Sequence, residues 1–316
     1  FGLATSAWHV LFARAGAWLG RGVRTPIRKA MLAASVTPET YGRAFGFERM
    51  MDTLGAIIGP ASAYLLLRLN GNHYPTLFAW TLLPGFLAVA CIVFLVQEQA
   101  RTKVAYVSFR AGLRQLPGPY RKFLIAVGIF GAGDFAHTLL ILLATQKLTP
   151  ELGAGKAAAI AVALYVMHNV FYATFAFFAG WLADRLPKKI LLATGYFLAA
   201  AMAMFVVMLP MGIWTLALVF ISGGIYVAIE ETLEDSLCAE LVGTDQYGMA
   251  FGVLATVNGF VDFLSSIVVG VLWTAFGTTV AFGYTALLSV SGALLVLRLR
   301  AAPQTSSKTP NLSSNA

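Results

Sequence analysis

One pattern dominates this chain: long apolar runs follow one another almost from end to end, each able to cross roughly 30 Å of hydrocarbon as a helix. They lie at Trp8–Ala34, Phe47–Leu67, Leu77–Val96, Phe123–Thr145, Ala157–Leu182, Ile190–Leu209, Trp214–Leu237, Phe251–Thr274 and Val280–Leu297. Hydrophobic residues make up 59% of the chain and charged residues 11%, where a soluble domain carries about a quarter charged residues. One soluble core cannot bury that much apolar surface. Inside lipid each backbone N–H must find its acceptor within the segment, which a helix provides. The expected fold is an all-α polytopic membrane protein with about nine transmembrane helices.

Basic residues set the expected orientation. Arg101, Lys103, Arg110, Arg114, Arg121 and Lys122 crowd the segment after the third run. Arg185, Lys188 and Lys189 follow the fifth, and Arg298, Arg300 and Lys308 follow the last. The alternate loops hold only Arg68, Lys147 and Lys156. The positive-inside rule then puts the C-terminus in the cytoplasm and residue 1 outside, as in a bacterial inner (plasma) membrane. The formal charge of +8 is spread over these loops and not gathered on a module, which argues against a nucleic-acid partner. Cys91 and Cys238 sit inside apolar runs without metal-ligand spacing and read as small buried hydrophobes. No metal site is expected.

An internal repeat organises the chain. Tyr41-Gly42-Arg43-Ala44-Phe45-Gly46 recurs as Tyr247-Gly248-Met249-Ala250-Phe251-Gly252, an offset of 206 residues. Six runs separate the copies, an even number, so the copies cross the bilayer in the same direction, as parallel repeats related by an axis along the membrane normal do. The divisions expected are residues 1–96, the last three helices of a first six-helix bundle; 97–122, a central cytoplasmic loop; 123–300, a second six-helix bundle; and 301–316, a disordered tail rich in Ser, Thr, Asn and Pro. The repeat also implies an N-terminally truncated first half, with roughly ninety residues of three further helices upstream.

Several charges fall where lipid would not accept them. The same offset aligns Arg24, Arg28 and Lys29 with Glu230, Glu234 and Asp235. A lone charge at mid-membrane costs about 2.5–3.5 kcal/mol on insertion scales, so the two trios are expected to neutralise one another as a cytoplasmic charge gate. A permanent clasp near the headgroups is the plainer alternative. Asp134 and His137, three residues apart, are expected on one helix face as a proton-coupling pair. Arg14, Trp18 and Arg21 form a stripe on the first run, and Tyr226, Glu230 and Glu231 another on the seventh. Together these are the expected substrate and proton pathway. His168, Asn169, Asp262 and Asp52 are further candidates, more readily explained as packing.

With these residues in view, the chain resembles the major facilitator superfamily. Gly180-Trp-Leu-Ala-Asp184-Arg185-Leu-Pro-Lys188-Lys189 is similar to the superfamily's signature loop, with Pro187 in place of its usual glycine. Gly55-Ala-Ile-Ile-Gly59-Pro60 resembles the hinge motif found mainly in exporters, with Ala63 where another glycine is common. Arg14 followed by Gly20 and Gly22 resembles the fourth-helix arginine motif, with Trp18 at a commonly glycine position. The resemblance implies a two-bundle fold whose helices 4 to 12 are present. It also implies that Asp184 tethers a neighbouring helix end and that the basic pair anchors the loop at an anionic leaflet.

The expected function is secondary active transport of a small organic solute by alternating access, as proton-coupled efflux, with uptake symport or facilitation as the alternative. A monomer is expected, with no cofactor and a proton gradient as the coupling source. An intramembrane enzyme or a non-transporting fragment belongs to a different class. Leu152-Gly153-Ala154-Gly155-Lys156 lacks the spacing and hydroxyl residue of a phosphate loop, Gly128 to Gly133 has no preceding strand, and no catalytic triad stands out.

Overall fold

The computed structural model describes residues 5–69, 74–95 and 109–299, and among these residues the ordered elements are all helical. Helix α1 (Ala7–Ser35) is joined to α2 (Tyr41–Leu69) by one 3₁₀ turn at Pro38–Thr40. Helices α3 (Tyr74–Trp80) and α4 (Leu82–Leu95) form one interrupted span, and α5 (Phe109–Gln115) is a short helix within the segment read from sequence as loop. There follow α6 (Gly118–Gly131), α7 (Thr138–Leu152), α8 (Ala154–Ala183), α9 (Lys188–Met208) and α10 (Ile213–Leu241). A second 3₁₀ turn, Thr244–Gln246, leads to α11 (Tyr247–Phe276) and α12 (Thr278–Leu297). The turn at Asn70-Gly71-Asn72, the basic residues Arg101 and Lys103 and the tail 301–316 lie outside the described residues.

Seven helical segments among the described residues are long and apolar enough to span a membrane, fewer than the nine read from sequence. The first exception is α1. Its 29 residues reach about 44 Å, but Arg14, Arg21, Arg24, Arg28 and Lys29 break up its apolar character. The second is the run Phe123–Thr145, which is two helices and not one. The chain leaves helical geometry between Gly131 and His137. Gly131 and Gly133 each weaken a helix by about 1 kcal/mol relative to alanine, and Asp134 adds a side chain that competes for backbone groups. Asp134 and His137 therefore sit in the break between α6 and α7, where the expectation of a shared helix face does not hold.

The repeat is present in three dimensions. Helices α1 and α10 each have 29 residues, and their ends, both 3₁₀ turns and the starts of α2 and α11 are all displaced by the 206 residues of the sequence repeat. Helix α10 is the centre of the second bundle, packed against α8, α9 and, from the first half, α2. A methyl group at Gly224 would overlap the backbone carbonyl of His168, so α8 and α10 touch backbone to backbone. Such close approach supplies dispersion contacts where lipid offers no hydrophobic drive between helices. Outward faces carry exposed side chains such as Phe94, Phe178 and Trp214, as expected for surfaces solvated by lipid. Cys238 is buried, but Cys91 is exposed on α4, which corrects the expectation that both are buried.

Candidate functional site

The site is best built from the end of the molecule where α8 turns into α9. The first N–H groups of any helix lack partners within it. At the start of α2 they find Asp184: its Oδ1 accepts from the Gly42 N–H at 2.7 Å and its Oδ2 from the Arg43 N–H at 3.2 Å and Arg43 Nε at 2.8 Å. The carboxylate also complements the positive end of the helix dipole. Gly42 and Gly180 meet backbone to backbone beside it, so the signature loop fastens α2 of the first half to α8 of the second. The Arg185 guanidinium stacks 3.6 Å from the Trp181 ring. Lys188 is buried and donates to Glu240 at 2.7 Å, and Lys189 donates to the Leu299 carbonyl at 3.0 Å. The basic pair thus spends its charge on protein groups, in contrast to the leaflet anchoring that the resemblance implies.

Three contacts deeper in this junction join residues that the repeat makes equivalent. Lys29 Nζ donates to Asp235 Oδ1 at 2.7 Å across a separation of 206 residues. The hydroxyls of Tyr41 and Tyr247 hydrogen-bond across the same separation, and the rings of Phe45 and Phe251 lie 5.6 Å apart. Equivalent residues of two parallel repeats touch only where the relating axis passes between them. The axis runs through these pairs, and the two halves are closed on each other there.

Of the three matched charges in each half, the structure brings together only Lys29 and Asp235. Arg28 instead pairs with Glu48 and, through both guanidinium nitrogens at 3.1 and 2.7 Å, with Asp52. Arg24 is exposed and takes part in no ion pair among the described residues. Glu234 accepts from Tyr196 at 2.5 Å and Asn258 at 2.8 Å. The reason is distance along α2: Glu48 and Asp52, one turn apart, face α1 directly and reach Arg28 before Glu234 can.

Beyond the junction lies a cavity of about 470 Å³ bordered by α1, α2, α8, α10, α11 and the break between α6 and α7. Six carboxylates line it, Asp134, Glu230, Glu231, Glu234, Asp235 and Asp262, against two cations, Lys29 and Arg49. Arg49 bonds Glu231 at 2.8 Å and Asp235 at 3.4 Å, and Tyr172 donates to Glu231. Behind the wall, the Tyr226 hydroxyl donates to Asp134 Oδ1 at 2.9 Å and lies 2.6 Å from His137 Nε2. A phenol has one proton to give, so with that proton on Asp134 the imidazole must donate to Tyr226. His137, Tyr226 and Asp134 form a hydrogen-bonded chain that the break between α6 and α7 makes possible. His168, buried beside them, has Nδ1 3.1 Å from the Phe220 carbonyl.

The structure keeps other expected groups apart from the cavity. Arg14, Trp18 and Arg21 are exposed on α1 and not among the lining groups, with Arg21 5.5 Å from the Trp18 ring. Only the last turns of α1, around Ala30 and Ala33, are buried. Gly55 and Gly59 have open space beside them among the described residues, so no close helix approach is seen at the hinge motif, and α2 runs unbroken through Pro60. Sequence reasoning missed Arg49, Glu48, Tyr172 and Asn258. Arg49 carried a usable signal, a lone arginine inside an apolar run, and Glu48 lies one turn before Asp52.

Comparison with known proteins places this geometry. A family model described as Major Facilitator Superfamily matches residues 123–315. An uncharacterized MFS-type transporter of Methanocaldococcus jannaschii is 28% identical over 307 residues, covering 93% of this chain and 76% of the relative. An efflux pump of Aspergillus niger, azaK, is 30% identical over 100 residues, covering 30% of this chain and 21% of that protein. The crystal structure of the human organic anion transporter MFSD10 (TETRAN) superposes with a TM-score of 0.62 at 14% identity, covering 86% of this chain and 67% of that one. Two parallel repeats closed on a common axis over a polar cavity, with a family match over more than half the sequence, make this integral membrane protein a member of the major facilitator superfamily.

Proposed function

We propose that the protein is a secondary active transporter that moves a small organic solute by alternating access, as proton-coupled efflux. The observation that carries the reading is the self-facing set of contacts, Lys29 with Asp235, Tyr41 with Tyr247 and Phe45 with Phe251, directly beside the cavity. Two like halves that meet across an axis can separate at one end by rocking about the site between them. The Asp184 cap on α2 and the Lys29–Asp235 pair form in this closed arrangement and would part in the other.

The hydrogen-bonded chain from His137 through Tyr226 to Asp134 supports proton coupling, because it links an imidazole and a carboxylate that can exchange a proton beside the cavity. The similarity to an efflux pump over 100 residues supports the outward direction. A C-terminus in the cytoplasm follows from the basic loops. The test is flux in inverted membrane vesicles carrying the chain, with an imposed pH gradient of either sign. Solute accumulation that needs an acid interior, and is abolished by Tyr226→Phe or Asp134→Asn, is the expected result. Accumulation of a solute with no dependence on the gradient would overturn proton coupling; the same solute moving only in right-side-out vesicles would overturn efflux.

A further inference from the structure

The lining charges of the cavity do not balance, and the imbalance is specific. Both cations are already engaged, Lys29 with Asp235 and Arg49 with Glu231 and Asp235. Glu234 is held by Tyr196 and Asn258, and Asp134 by Tyr226. Glu230 differs from these. It is 9% exposed and lines the cavity, yet among the described residues its carboxylate has neither a hydrogen-bond donor nor an ion-pair partner. Five further carboxylates line the same cavity, Asp134, Glu231, Glu234, Asp235 and Asp262. Asp262, on α11 across the cavity, is likewise without a side-chain partner among the described residues.

A carboxylate withdrawn from water and surrounded by like charges needs a counter-charge. An anionic solute would add to the repulsion. A proton relieves it, and so does a cation, and a cavity of about 470 Å³ lies within the range that encloses a small organic molecule. The rest of the lining suits the body of such a molecule: Tyr165, Phe135 and Tyr172 are among its residues, and aromatic faces attract organic cations by their quadrupole.

We infer that the solute is a monovalent organic cation, an amine or quaternary ammonium with an aromatic or aliphatic body, whose charged group sits between Glu230 and Asp262. The inference rests on the transport reading of the same cavity and names its substrate class. Cation and proton relieve the same repulsion and so exclude each other at Glu230. The human structural neighbour, an organic anion transporter, has a selectivity of the opposite sign.

Equilibrium binding to the purified full chain in detergent tests the assignment without requiring flux. The probe is radiolabelled tetraphenylphosphonium, and tetraphenylborate, of nearly equal shape and opposite charge, is measured in a separate binding assay, since the two ions mixed would pair with each other. We expect saturable phosphonium binding and no saturable borate binding, with a loss of phosphonium affinity of roughly tenfold or more in Glu230→Gln, equal to about 1.4 kcal/mol. Asp262→Asn, on a more exposed side chain, should weaken binding severalfold and serves if Glu230→Gln fails to fold. Saturable borate binding of matching affinity, or unchanged phosphonium affinity in both folded variants, overturns the inference. Flux of an anionic solute by the reconstituted chain also overturns it while leaving the transport reading intact. Charge-selective binding together with no flux of any bound cation under any gradient upholds the cation site and overturns the transport reading.

Discussion

Helices α1 and α10 are the same object twice and yet behave as opposites. Each has 29 residues and their ends match through the repeat. But α10 carries Glu230, Glu234 and Asp235 where α1 carries Arg24, Arg28 and Lys29. The repeat sets the backbone, and the axis dictates where the chemistry must diverge. At a position that faces its own counterpart, two identical charges would repel, so Lys29 must meet Asp235 and not another lysine. Tyr41 and Tyr247 can stay identical because a phenol both donates and accepts, and Phe45 and Phe251 because two rings attract when tilted. Identity is kept where the pair is self-complementary and lost where it is not.

The largest expected effect comes from breaking the one charge pair on the axis. Asp235→Ala leaves the partly buried Lys29 without its partner and removes one of the two acids that hold Arg49. Removing one member of a buried pair costs about 3–5 kcal/mol, read as a lower melting temperature of the detergent-purified chain. Lys29→Ala added to Asp235→Ala should recover part of that loss. The exchange of Lys29→Asp with Asp235→Lys should recover less of it, because a lysine at 235 would face Arg49 where Asp235 now holds it. If the double alanine variant melts as low as Asp235→Ala alone, the self-facing argument fails.

A second comparison uses glycines. Gly42 and Gly248 are counterparts in the repeat, but only Gly42 is pressed between helices: an added methyl would meet the Gly180 carbonyl and lie 2.6 Å from Asp184 Oδ1. Nothing among the described residues lies within 4 Å of a methyl at Gly248. Gly42→Ala should therefore cost about 1–3 kcal/mol by overpacking and loosen the cap that Asp184 forms. Gly248→Ala should stay within about 0.5 kcal/mol, as substitutions away from special features do. Equal melting temperatures for the two variants would show that the close contact of α2 with α8 contributes nothing.

Much of this fold was legible because lipid leaves the chain few options. Apolar length marked most of the helices, and a hexapeptide repeat implied two halves related by an axis along the membrane normal. What escaped was local. Nothing in the apolar run Phe123–Thr145 announced that Gly131 to His137 would leave the helix, since glycines occur inside membrane helices as well as at their breaks. The offset named the right pairing for Lys29 and the wrong one for Arg28, because register says which residues are equivalent and not which are nearest. Arg49 was overlooked although the same reasoning that singled out Asp134 applies to it. It became visible as a partner of Glu231 only once α2 was seen to pack on α10.

The smallest effect is also the sharpest, because it separates register from proximity. Arg28 aligns with Glu234 through the repeat but bonds Asp52 with both guanidinium nitrogens, at 3.1 and 2.7 Å. The side chains of Arg28 and Asp52 are 37% and 39% exposed, so screening holds the coupling within the range of exposed pairs, about 0.2–1 kcal/mol. A bidentate geometry should place it toward the upper end. In a double-mutant cycle of Arg28→Ala with Asp52→Ala, the two losses should therefore fail to add by that amount. The cycle of Arg28→Ala with Glu234→Gln should be additive, since Glu234 is committed to Tyr196 and Asn258 on the far side of the axis. Coupling in the second cycle and none in the first would mean that the two trios of charge meet as the repeat pairs them. Lys29 and Asp235 would then be one rung of a three-rung ladder and not the single charged crossing on the axis.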